Sequence, residues 1–92
     1  MTRIEPGTLK CVIATMGTDA LLAALPKRVR PDDIRRIGPA ALVVYTALGP
    51  AELRDWLSGY LEGGESLLVI EFEKWSGFGD RVDRVWLLER GH

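Results

Sequence analysis

Five basic side chains fall within ten positions: Lys27, Arg28, Arg30, Arg35 and Arg36. Cations at that density suit phosphate oxygens, so nucleic acid is the natural ligand class to consider. Asp32 and Asp33 lie inside the same stretch, and a solvated loop whose charges pair locally has the same composition. An acidic protein partner is a third fit. The stretch contains no aromatic residue, so it lends no support to base stacking. Among the carboxylates, Glu71 and Glu73 would share one face of a strand about 7 Å apart, a spacing open to a metal or an acid–base pair. The solvent face of any half-exposed strand has that pattern too. Asp32 and Asp33 follow Pro31 and fit the first turn of a helix. Asp19 also fits a helix start.

The rest of the inventory removes several reaction classes. The only histidine is His92, the last residue, far from any triad geometry. One cysteine, Cys11, and one histidine cannot supply the four ligands of a zinc site. In its strand Cys11 reads as a small buried apolar residue. No GxxxxGK and no GxGxxG segment occurs. Carboxylate–metal chemistry, plain binding and no chemistry at all survive.

Ninety-two residues make one domain. A chain that short folds with little margin, and dimerisation would help it. Hydrophobic residues are 47% and mean hydropathy is +0.04, which excludes a disordered chain. The longest apolar run, 40–45, falls far short of the roughly 20 residues of a membrane span. Glu5, Pro6 and Gly7 do not read as a signal peptide. A lone cysteine permits no internal disulfide, so a cytoplasmic setting is expected. Lys and Arg number 12 against 13 Asp and Glu, for a net charge of −1. That balance runs against a dedicated nucleic-acid binder, which is usually basic overall.

Residues 8–15 alternate Leu9, Cys11 and Ile13 against Lys10, Val12 and Ala14, which predicts a first strand. Gly17 breaks it, and Thr18 is a candidate N-cap for a short helix carrying Leu21, Leu22 and Leu25. Pro26 disfavours helical geometry at Leu25. Residues 27–38 read either as a helical turn after Pro31 or as a short edge strand through Ile34 and Ile37. Residues 41–47 are nearly all apolar, the pattern of a central strand. Pro50 and Glu52 open a helix whose Leu53, Trp56, Leu57, Tyr60 and Leu61 form one buried stripe, ended by Gly63-Gly64. Residues 66–74 form a strand with Leu68, Ile70 and Phe72 opposite Glu71 and Glu73.

WSGFG at 75–79 is a glycine-hinged loop, in which Gly77 and Gly79 supply backbone angles that other residues avoid. Residues 80–90 are expected to be a helix with Asp80 as N-cap and Gly91 as stop, or alternatively a pairing strand. Trp75, Phe78 and Trp86 are then either cover for the sheet or anchors of an interface. Trp56 and Tyr60 are expected in the core. The sum is an α+β two-layer sandwich with helices on one face of a mainly antiparallel sheet. It is a ferredoxin-like βαββαβ domain over 1–92 with a helical or strand tail.

From Ala41 onward, ALVVYTA, AELRDWL, GGESLLVIEF and WSGFG follow one another. This succession resembles the SinR-like proteins, which share a superfamily with the small CRISPR-associated endoribonucleases of the Cas two family. The resemblance covers residues 41–92, whereas residues 1–40 agree only in order: strand, helix, basic connector. It implies a ferredoxin-like protomer, a homodimer joined through sheet edges and association with nucleic acid. In active members it further implies a magnesium-dependent phosphodiesterase. Those members carry an aspartate at the C-terminal end of the first strand. Here Ala14-Thr15-Met16-Gly17 stands there, with no carboxylate until Asp19, which the resemblance leaves as the candidate metal ligand.

The expectation is therefore a non-catalytic, cofactor-free SinR-like homodimer that binds nucleic acid weakly through residues 27–36. An alternative of another class is a protein-interaction module, an accessory or inhibitor of a larger complex of the mobile-element, CRISPR or toxin–antitoxin kind. A nuclease using Mg²⁺ stands third.

Overall fold

The computed structural model describes residues 7–91; Glu5, Pro6 and His92 lie outside the described residues. Its elements are β1 (Thr8–Ala14), α1 (Asp19–Ala24), β2 (Ile34–Gly38), β3 (Ala41–Thr46), α2 (Pro50–Leu57), β4 (Leu67–Phe72) and α3 (Arg84–Gly91). Single 3₁₀ turns occupy Leu25–Lys27, Pro31–Asp33 and Ser58–Tyr60. The order is the expected βαββαβ, and the tail is a helix. All pairings are antiparallel, in the order β2-β3-β1-β4. The apolar strands β1 and β3 are interior, and β2 and β4 are the edges. Both readings of residues 27–38 hold in part, because a turn at Pro31–Asp33 leads straight into edge strand β2.

The period of two divides the sheet's side chains between two cores. Val12, Ala14, Ile34, Leu42 and Val44 pack with Leu21 and Leu25 of the α1 region and with Leu53 and Leu57 of α2. Leu9 and Val43 face the other way and meet Trp86 and Leu87 of α3. The molecule is thus an α+β sandwich with α1 and α2 on one face, as expected, and with α3 covering part of the other. Trp86 explains that second cover. It is only 3% exposed, and its indole N–H donates to the Asp32 carbonyl. Arg90 Nε meets Asp33 Oδ1 at 2.8 Å, which ties α3 to the turn before β2. No helix among the described residues is long and apolar enough to cross a membrane.

Several caps differ from the sequence reading. Thr18 does not cap α1 through its side chain; its hydroxyl donates to the Pro39 carbonyl at 3.1 Å, as does its N–H at 2.9 Å. It clamps the β2–β3 turn instead. α2 ends at Leu57 and tightens into the turn through Tyr60, short of Gly63-Gly64, because Gly59 is a poor helix former. The cap of α3 is Asp83 rather than Asp80: Asp83 Oδ1 accepts the Trp86 N–H at 3.1 Å. Asp80 is held in a turn that closes from Val82 N–H to the Gly79 carbonyl. Gly91 is the last residue of α3, not its stop. In the WSGFG loop Gly79 has φ of +106°. Gly77, unlike Gly79, has no left-handed φ; it must be glycine because a Cβ there would lie 2.5 Å from Val82 Cγ1.

Candidate nucleic-acid interface

The basic cluster does not form one face. Arg35 and Arg36 are neighbours on β2 and so point to opposite sides of the sheet. Arg35 Nε pairs with Asp83 Oδ2 at 3.3 Å, and its guanidinium lies 5.2 Å from the Trp86 ring centroid. Arg36 Nη1 pairs with Asp19 Oδ1 at 2.9 Å, and its Nε donates to the Gly38 carbonyl. Both arginines hold secondary structure together. Lys27, Arg28 and Arg30 differ. All three are exposed, and no carboxylate among the described residues pairs with them.

Two of these cations rest on aromatic rings that the linear sequence keeps far from them. Lys27 Nζ lies 5.4 Å from the Tyr60 ring centroid, and the Arg28 guanidinium lies 4.9 Å from that of Trp56. Trp56 and Tyr60 meet edge to face, with centroids 6.4 Å apart and planes at 86°. Both rings pack against the α1–α2 core as expected, yet both remain partly exposed. Each cation–ring contact at such a site is worth about 0.5–1 kcal/mol. These cation–ring contacts are not legible within residues 27–36, which hold no aromatic residue. The signal lay in the i, i+4 pair of Trp56 in α2 and Tyr60 in the 3₁₀ turn that follows it, against which the turn after α1 packs its cations.

The other candidates fall into structural roles. Asp19 sits in the first turn of α1, with its carboxylate 87% exposed beside Arg36. Among the described residues no group of three or more His, Cys, Asp or Glu side chains could hold a metal. Glu71 accepts from Thr8 Oγ1 at 3.0 Å and faces Lys10 Nζ at 3.6 Å. Glu73 is exposed and follows the end of β4. Burial pushes the Cys11 thiol up, which disfavours the reactive thiolate. Of the aromatics read as interface anchors, Trp86 is buried in the chain's own core and Trp75 packs against it. Phe78 is 95% exposed.

Lys10 is a site that sequence reasoning passed over. It shares the helix-side face with Val12 and Ala14, and its side chain is 2% exposed. Its ammonium donates to the Thr46 carbonyl at 2.7 Å and to Thr8 Oγ1, with Glu71 as the counter-charge. Burial holds it below the ordinary lysine value of 10.5, against the opposing pull of Glu71 and then Glu52. A lowered native value means that the unfolded chain binds more protons beneath 10.5, so this site's contribution to stability rises with pH there. Lys10→Met keeps the apolar stem and deletes the titration. In urea melts, wild-type stability minus that of the variant is expected to increase from neutral pH toward 10.5. A difference that stays flat with pH would show that Lys10 titrates normally.

Compared with known proteins, the chain matches no protein-family model, no curated protein and no solved structure. Its class therefore rests on the fold: an α+β sandwich whose helical layer presents cations seated on aromatic rings.

Proposed function

We propose that this chain is a non-catalytic nucleic-acid-binding protein of the SinR-like kind, with Lys27, Arg28 and Arg30 as its phosphate contacts. The observation that carries this reading is the freedom of these three cations from any described carboxylate, while Arg35 and Arg36 are neutralised. A locally paired loop would have left no such excess. Catalysis is left out because a hard Mg²⁺ ion takes at least one or two carboxylates with room for its waters. Asp19 stands alone, tied to Arg36. The reading includes a homodimer, supported by edge strand β4 and by the exposure of Leu68 and Ile70 on it. A single thiol suits a reducing compartment such as the cytoplasm.

Fluorescence anisotropy of labelled single-stranded RNA and duplex DNA at two salt concentrations tests the reading. Three phosphate contacts give a log–log slope near −2.1 on a single strand and −2.7 on a duplex, so fourfold more salt weakens binding by about 20- to 40-fold. Flat traces at both salts would transfer the function to protein interaction, where Phe78, almost fully exposed on its loop, is the favoured contact.

A further inference from the structure

We infer that the ligand is single-stranded and that Trp56 is the platform for one unpaired base, an inference that rests on the phosphate contacts proposed above. A guanidinium 4.9 Å from the Trp56 centroid marks a ring face that is not packed on the core. A planar group already occupies it, which is the geometry a nucleobase needs. When phosphate arrives, the Arg28 guanidinium has a stronger, charge-assisted acceptor. It leaves the ring for the phosphate, and the base takes its place. The perpendicular Tyr60 ring, at 86°, cannot continue a parallel stack, so the site seats one base rather than two in succession.

A duplex keeps its bases within its own stack and offers only phosphates at this surface. An acidic polypeptide could use the charges, but it has no use for the ring. Single strands therefore gain a contact that duplexes lack, on the order of tenfold in affinity for one stacked base.

The test measures binding of a 5′-labelled single strand and of the duplex of the same sequence to wild-type protein and to Trp56→Leu. The variant keeps an apolar side chain against the core, and circular dichroism reports its folding. The wild type is expected to bind the single strand about tenfold tighter than the duplex. Trp56→Leu is expected to erase that preference while duplex binding and the salt slope stay unchanged. Equal binding of the two forms by the wild type overturns the stacking inference and leaves the phosphate reading standing, even where the variant does not fold. No binding of either form overturns both.

Discussion

Reversing Lys27, Arg28 and Arg30 to glutamate is expected to abolish nucleic-acid binding while the protein stays folded. The three residues lie on the connector after α1, are exposed, and take part in no ion pair with a described carboxylate. The fold loses only the two contacts with Tyr60 and Trp56, about 0.5–1 kcal/mol each. Binding loses three attractive charges and gains three repulsive ones, so the salt slope of about −2 to −3 collapses toward zero. The informative control is reversal of Arg35 and Arg36. Those changes set glutamates beside Asp83 and Asp19 and loosen the hold on α3 and α1, so they lower thermal stability. They leave the 27–30 contacts in place. If Arg35→Glu with Arg36→Glu silences binding and the triple variant does not, the assignment of the phosphate site is wrong.

Truncating Leu57 to alanine is expected to lower stability by about 2–5 kcal/mol. Leu57 is fully buried at the last turn of α2 and packs into the core shared with β1, β3 and α1. That loss takes a large share of the roughly 5–15 kcal/mol available to a small domain. At about 4–8 °C per kcal/mol, the midpoint of a thermal melt falls by at least about 8 °C. Trp56 is its chain neighbour, and Tyr60 follows in the next turn. Single-strand binding should therefore weaken in the folded variant before duplex binding does. A melt within a degree or two of wild type would mean that α2 is held by something other than this leucine.

The alternation in β1, the apolar run of β3 and the opening of α2 at Pro50 were legible because each is a local pattern. What escaped the sequence reading was decided between elements. Thr18 has the residue type of an N-cap, but the Pro39 carbonyl of the β2–β3 turn accepts from its hydroxyl instead. Asp80 and Asp83 are equivalent as text, and only the Trp86 N–H donating to Asp83 Oδ1 shows which begins the helix. The basic cluster looked like one patch because spacing along a chain says nothing of the two faces of an edge strand. Arg35 and Arg36 fell to opposite sides, and rings from α2 and the turn after it, Trp56 and Tyr60, came to lie against Arg28 and Lys27. The alternation of β1 set Lys10 beside Val12 and Ala14 without saying which face is buried. Its face is the inner one, tolerable because three acceptors surround its ammonium.

The strand order also sets a timetable. The hairpin of β2 and β3 joins neighbours in the chain, but β1 pairs on one side with β3 and on the other with β4, where Leu9 lies opposite Phe72. Emerging from a ribosome at about 5–20 residues per second, the chain makes its central strand first and waits several seconds for the edge that completes it. Until then Val12 and Ala14 have one flank open. The topology orders the closing of the sheet: the strand made first is the last to be closed in.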